Sequence, residues 1–280
     1  GPVASWRLGR SLGIDLLSTA SKTCSFDCLY CQLGTTIHAL VERREFVPLA
    51  RLAAELERTG PVQADYVSFS GVGEPNLASN LGQAIELVRS TLKLPVAVFT
   101  NSSLMPLPEV RQDLSRADLV LVKLDAPSED IFRLVNRPLT PYSLHEILEG
   151  IRLFRGQYKG RLALQMMFIR ENRDCAAQMA RLAAEVNPDE VQINNVAVRP
   201  DHRGKGIGRA LVQAVLDHGR VSGARTALLE VRRSNVAARQ LYAGLGFLEA
   251  GERPCYYSHP EEDALVLARD VRNLEADPEA

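Results

Sequence analysis

The segment "TCSFDCLYCQLG" (23–34) places Cys24, Cys28 and Cys31 in a C-x3-C-x2-C spacing. Three thiolates are one short of the four ligands that close a structural zinc site, and no histidine stands at zinc-finger spacing to complete the set; His38 is the nearest. An iron–sulfur cluster held by three cysteines keeps one iron open to an exogenous ligand, so the missing fourth ligand becomes a binding place. A fortuitous metal clip, or a cluster with only a structural role, is the blander alternative. A second chemical signal lies in "VAVRPDHRGKGIGRAL" (196–211), which reads R-x-x-G-x-G at Arg203, Gly206 and Gly208, with Gly204 in the same turn. Consecutive N–H groups at a helix N-terminus bind anions, and glycines let a pyrophosphate approach them.

The elements that must carry these residues follow from periodicity. Candidate strands are "GIDLLS" (13–18), "YVSFSG" (66–71), "PVAVFT" (95–100), "LVLVKLDA" (119–126), "RLALQMMFI" (161–169) and "EVQIN" (190–194). Amphipathic stretches at 49–58, 81–92, 143–158 and 175–187 alternate with them. This α/β rhythm predicts a parallel sheet with helices outside it, and the nearly continuous apolar character of each strand favours a barrel. After residue 195 the order becomes strand (195–198), Gly-rich turn, helix (208–223), strand (226–231), helix (235–247) and strand (264–271). We therefore divide the chain into residues 1–194, 195–272 and an acidic tail, 273–280; "DEVQINNVAV" crosses the first boundary without a Gly, Pro or Ser spacer.

Composition sets the outer limits. The chain has 280 residues, 46% of them hydrophobic and 24% charged, with a formal net charge of -1, which excludes a disordered chain and a free-standing basic nucleic-acid binder. No apolar run approaches the roughly 20 residues needed to span a bilayer, so no membrane partner is expected, and a cytoplasmic location is. Five cysteines are few for a disulfide scaffold, and Cys175 and Cys255 are expected to be buried structural thiols. The basic run Arg199, Arg203, Lys205, Arg209, Arg232 and Arg233 is expected to be a solvated face.

The cysteine motif after a first strand resembles the signature of the radical S-adenosylmethionine (radical SAM) superfamily, with Tyr30 in its aromatic slot. "SGVGEP" (70–75) looks like that family's glycine–glutamate loop, which implies that Gly71, Gly73 and Glu74 lie against the methionine amino group of the cofactor. Asn101, Ser102, Lys123 and Asp125 stand at strand ends that line the cofactor and substrate cavity in the family, Asn101 and Asp125 being the candidate cofactor contacts. The stretches "GPVASWRLGRSLGIDL", "GVGEP", "FTNSSL", "KLDA", "FRLVNRP" and "VQIN" together resemble proteins related to the wyosine-base tRNA synthases. The resemblance covers about residues 1–195. It implies a partial (β/α)6 barrel, a 4Fe-4S cluster on Cys24, Cys28 and Cys31, and S-adenosylmethionine cleaved to a 5′-deoxyadenosyl radical. It also implies an electron donor of the flavodoxin or ferredoxin type and a tRNA substrate.

"VAVRPDHRGKGIGRAL" followed by "ALLEVRRSNVAARQLYAGLGF" (227–247) resembles the acetyl-CoA half of the GNAT acetyltransferases, nearest to RimI-like enzymes acting on protein N-termini. This implies Glu230 as general base, Tyr242 as general acid, and acetyl-CoA held by Arg203, Gly204, Gly206 and Gly208. The main-chain amides of Val196 and Val198 would polarise the thioester, and Asn235 would cap its helix or touch the CoA arm. The first half of a GNAT domain is missing, and one strand serving both patterns is expected to leave sheet edges exposed. Two alternatives follow. One is a barrel capped by a recombined remnant; the other is a RimI-like N-acetyltransferase, or a CoA-responsive binding protein, with a structural cluster.

Overall fold

The computed structural model describes residues 1–5, 7–195, 204, 206–221, 225–258 and 261–272. Contacts divide the chain into two compact units, Gly1–Leu162 and Ala163–Ala280. The first contains β1 (Val3–Ser5), β2 (Gly9–Ile14), β3 (Thr23–Cys24), β4 (His38–Ala39), α1 (Leu49–Thr59), β5 (Tyr66–Phe69) and α2 (Leu81–Leu92). It continues with β6 (Val96–Thr100), α3 (Pro108–Leu114), β7 (Leu119–Lys123), α4 (Glu129–Val135) and α5 (Leu144–Gln157). β2, β5, β6 and β7 pair in parallel in that order, and β1 adds an antiparallel edge to β2. Both faces of these strands are covered: Val96, Ala97 and Val98, and Leu119, Val120, Leu121 and Val122, are all buried, as a parallel sheet with crossover helices requires. α2 turns Leu81, Ala84, Ile85 and Val88 inward at helical spacing. α5 starts at a capping box, in which Glu146 N donates to Ser143 Oγ and Ser143 N to Glu146 Oε2.

The first expected strand is shifted. β2 ends at Ile14 rather than running to 18, because Asp15 turns the chain: its carboxylate accepts from Leu17 N (3.0 Å) and Val72 N (3.3 Å), and Ser18 has a φ of 47°.

In the second unit β8 (Arg161–Met167), which begins just before the division, is followed by α6 (Ala176–Val186), β9 (Glu190–Asn195), α7 (Ile207–Val221) and β10 (Thr226–Arg232). Then come α8 (Val236–Ala243), β11 (Leu248–Ser258) and β12 (Glu261–Asp270). The strand order is β8-β9-β10-β12-β11, parallel through β10 and antiparallel beyond. β9 is hydrogen-bonded on both edges, to β8 (Leu164↔Val191) and to β10 (Ala227↔Val191). The expectation that a shared strand leaves exposed edges is thereby corrected: each pattern supplies the partner that the other lacks. That ladder, with α6 packed on α7, is also why the compact units part at Leu162 and not where the sequence pattern changes at 194. The strand expected at 195–198 lies, apart from Asn195, outside the described residues, as does the acidic tail.

Candidate active site

The cysteine loop is built into the ends of the first unit's strands. Thr23 N donates to Val72 O (3.0 Å) and Glu74 N to Thr23 O (3.3 Å), so the glycine–glutamate loop pairs with the residue before Cys24. A Cβ on Gly73 would stand 1.6 Å from Thr23 O, and one on Gly71 would stand 2.3 Å from Asp15 Oδ1, so both positions require glycine for close approach. On its other side the loop is stitched to the end of α4. Asp27 N donates to Asn136 O (3.2 Å), Leu29 N to Val135 O (2.9 Å) and Leu139 N to Ser25 O (2.9 Å). Thr36 N closes the loop on Asp27 Oδ1 (2.7 Å), which holds that carboxyl below its usual range.

Cys24, Cys28 and Cys31 are free thiols. Burial pushes Cys24 up to about 12 and raises Cys28 as well, so a thiolate at either position calls for a cation beside it. Two side-chain amides already point at sulfur: Asn101 Nδ2 lies 3.4 Å from Cys24 Sγ, and Asn136 Nδ2 lies 3.6 Å from Cys28 Sγ. Among the described residues no three Cys, His, Asp or Glu side chains converge at metal-ligand geometry. The donor chemistry nonetheless fits an iron–sulfur cluster: three thiols on one anchored loop, two of them met by N–H donors.

Beside the loop, the strand ends are clasped by polar side chains. Glu74 is buried, and its carboxylate accepts from Asn76 N (3.0 Å), Thr100 Oγ1 (2.8 Å) and Asn101 N (2.6 Å). Burial raises its pKa, and these bonds oppose the rise. The Glu74 carboxylate is thus committed to joining the ends of β5 and β6. Thr100 Oγ1 also accepts from Asn76 Nδ2 (2.8 Å) and Ser102 N (2.9 Å). Ser102, buried at a φ of 72°, accepts from Lys123 N (2.9 Å) and so ties β6 to β7. Tyr30 OH donates to Asp125 Oδ2, and Lys123 Nζ sits 4.7 Å from the Tyr30 ring and 3.6 Å from Asp125 Oδ1. Burial, with the Asp125 charge adding to it, holds the Tyr30 phenol well above its usual range, so it stays protonated.

In the second unit, Gly204 and Gly206 both take a φ of 76°, and a Cβ on either would meet nothing within 4 Å. The backbone conformation, rather than crowding, requires glycine here, at a turn that runs into α7, with Gly208 in the helix's first turn. Val196, Val198 and Arg203 lie outside the described residues. β10 pairs in parallel with β9 at Ala227↔Val191 and Leu228↔Gln192, and runs antiparallel to β12 as far as Arg232. Glu230, whose side chain has no exposed surface, pairs with Arg253 Nη1 and accepts from Tyr256 OH (3.4 Å). Tyr242 packs edge-on to Phe247, and burial pushes its phenol up to about 12. Asn235 Oδ1 accepts from Ala238 N (3.2 Å), which makes it the N-cap of α8.

Residues 19–183, more than half of the chain, match the model of the Radical SAM superfamily. The chain belongs to the radical SAM superfamily. Residues 138–247 match the acetyltransferase (GNAT) family, so the two matches overlap between 138 and 183. A UPF0026 protein of Synechocystis sp. is 40% identical over 195 residues, which cover 69% of this chain and 73% of that protein. The [ribosomal protein bS18]-alanine N-acetyltransferase of Escherichia coli is 44% identical over 97 residues, 34% of this chain and 66% of that enzyme. In fold, the chain is similar to Streptococcus suis SuiB bound to S-adenosylmethionine, with a TM-score of 0.53 at 13% identity, covering 75% of this chain and 44% of SuiB. The fold is accordingly a radical SAM α/β barrel segment joined to a GNAT-like module, and the protein is an enzyme. None of the helices among the described residues is long and apolar enough to cross a membrane.

The radical SAM segment brings Cys24, Tyr30, Gly73, Glu74, Asn101 and Asp125 into one connected set. Asn136 and Thr100 were missed as site residues. Asn136 stands in the quoted "FRLVNRP", where a polar residue on the apolar end of a short helix was the available signal. Thr100 tests the strand-end clasp. Replacing it by Val removes one donor to a buried carboxylate and leaves two N–H groups unmatched, so urea denaturation should show a loss of about 1–3 kcal/mol. A midpoint equal to that of the parent protein would show that the hydroxyl is not the hub.

Proposed function

We propose that this radical SAM enzyme holds a 4Fe-4S cluster on Cys24, Cys28 and Cys31 and cleaves S-adenosylmethionine to a 5′-deoxyadenosyl radical that acts on a tRNA base. The observation that carries the reading is the anchored three-thiol loop with amide donors aimed at Cys24 and Cys28. When bound, the cluster supplies an open iron site for S-adenosylmethionine and the electron for breaking its sulfonium bond. The chain's own part is positional. Pairing of Thr23 with Gly73 puts main chain free of side-chain bulk beside Cys24, where a methionine amino group can be met by backbone. Asn101 orients Cys24 and Ser25 through one amide (3.4 and 3.1 Å), and the Tyr30–Asp125–Lys123 group closes the side next to Cys28. A flavodoxin- or ferredoxin-type donor would supply the electron, in a reducing cytoplasm where three neighbouring thiols persist. Anaerobic reconstitution should yield a brown protein with about four irons per chain, and reductant with S-adenosylmethionine should release 5′-deoxyadenosine. A colourless protein, or no cleavage, rejects the proposal.

For the GNAT-like module we propose acetyl-CoA binding at the Gly204–Gly208 turn, with an amine such as a protein N-terminus as acceptor. The positive φ of Gly204 and Gly206 at the turn into α7 supports this reading, because a side-chain-free turn lets an anion approach the N-terminus of a long helix. Tyr242, whose pKa is raised by burial, keeps its proton at neutral pH and suits the protonation of a departing thiolate. Glu230 is held by Arg253, so it would serve as base only where an incoming amine competes with that pair. Calorimetry should show acetyl-CoA binding that weakens at least tenfold in Gly206→Trp. Equal affinity in that variant would remove the turn from the binding site.

A further inference from the structure

Asn136 has no part in the cysteine motif, the glycine–glutamate loop or the acetyltransferase signature, yet it touches more of the cysteine loop than any residue named for chemistry. It is buried, directly after α4, and its main chain is committed: its N–H donates to Phe132 O (2.9 Å), and its carbonyl accepts Asp27 N (3.2 Å). Its side-chain Nδ2 faces three acceptors, Cys28 Sγ (3.6 Å), Tyr30 OH (3.2 Å) and Asp125 Oδ2 (3.1 Å). One residue therefore holds the loop by its backbone at Asp27, by sulfur at Cys28 and by the phenolic oxygen at Tyr30. The Asp125 side chain has no exposed surface and Lys123 stands beside it, so the site offers little room for water to replace the amide.

We propose that Asn136 is a positioning residue for the cluster, whose amide donates to the Cys28 thiolate and raises the reduction potential of the centre that Cys28 ligates. The inference rests on the cluster reading above. A primary amide has two protons for three acceptors, and the acceptor that gains negative charge takes the larger share. Reduction adds that charge to the cluster and its thiolates, so the N–H···S contact tightens in the reduced state and stabilises it. After Asn136 the chain stays on the loop, since Asp27 N also donates to Arg137 O (3.1 Å) and Leu139 N donates to Ser25 O (2.9 Å), so the backbone on both sides of the amide is anchored there.

The test compares the parent protein with Asn136→Leu, Asn136→Ala and Asn136→Ser, each reconstituted anaerobically without S-adenosylmethionine. Iron per chain and the midpoint potential from an EPR-monitored titration are the readouts. In the Leu and Ala variants the midpoint should move to more negative values. At the parent midpoint, the ratio of reduced to oxidised centre should fall about tenfold, which is roughly 59 mV for one electron. The Ser variant keeps an O–H donor and should recover part of the shift, a pattern that loosening of the loop alone would not produce. Should the Leu variant fail to take up iron, the Ala variant is read by the same criterion. An unshifted midpoint in an iron-loaded Leu or Ala variant overturns the role of Asn136 and leaves the cluster reading intact. A parent protein that takes up no iron overturns both.

Discussion

The pairing of Thr23 with Gly73 is the constraint from which the rest of the site follows. A two-residue stretch of main chain has little stability alone, but here Thr23 is hydrogen-bonded on one side to the loop after β5 and lies, on the other, in the short β3–β4 ladder. The cysteine loop thereby inherits the rigidity of the parallel sheet. The glycine at 73 follows from that contact, since any side chain would occupy the position of the Thr23 carbonyl. Cys24 then emerges at a fixed point beside Asn101, whose own N–H is held by Glu74. Sheet, loop and first sulfur form one chain of hydrogen bonds, running from Thr23 and Glu74 through the half-buried Asn101 to Cys24.

The polar clasp behind the loop has a cost that the core offsets. Glu74, Thr100, Ser102 and Ser103 are buried polar residues, and such groups are tolerated only when their donors and acceptors are matched. Ser102 adds backbone strain, because a non-glycine residue with positive φ is disfavoured. The surrounding valines and leucines of β5, β6 and β7 supply the compensating burial. Strain and matched polar groups at strand ends are where ligand-facing geometry is usually stored, and here they stand beside the cysteines.

Much of this was legible in the residues themselves. Alternation of apolar runs with amphipathic helices located the central strands β5, β6 and β7 and the helices α1, α2 and α5, but not the short elements β1, β3, β4, α3 and α4, and the cysteine spacing with "SGVGEP" located the loop and its neighbour. The first strand was misplaced because Asp15 acts through a long-range bond to Val72, which periodicity does not register. The role of Glu74 was visible only in part: the motif marked the loop, whereas the carboxylate's three donors come from residues up to 27 positions away. Glu230 shows the same limit. A motif assigns a type of chemistry, but an Arg on β11 decides what that side chain holds, whereas the cap expected of Asn235 is the bond that it makes. Asn136 escaped notice because its partners, Cys28 and Tyr30, lie 108 and 106 residues away in the chain.

β9 carries a consequence of another kind. A strand bonded along both edges, in a ladder that joins barrel-type β8 to acetyltransferase-type β10, is a seam and not a hinge. Its flanking strands share hydrogen bonds with it instead of meeting across a linker, so heat or denaturant that loosens one ladder bares the edge of the other.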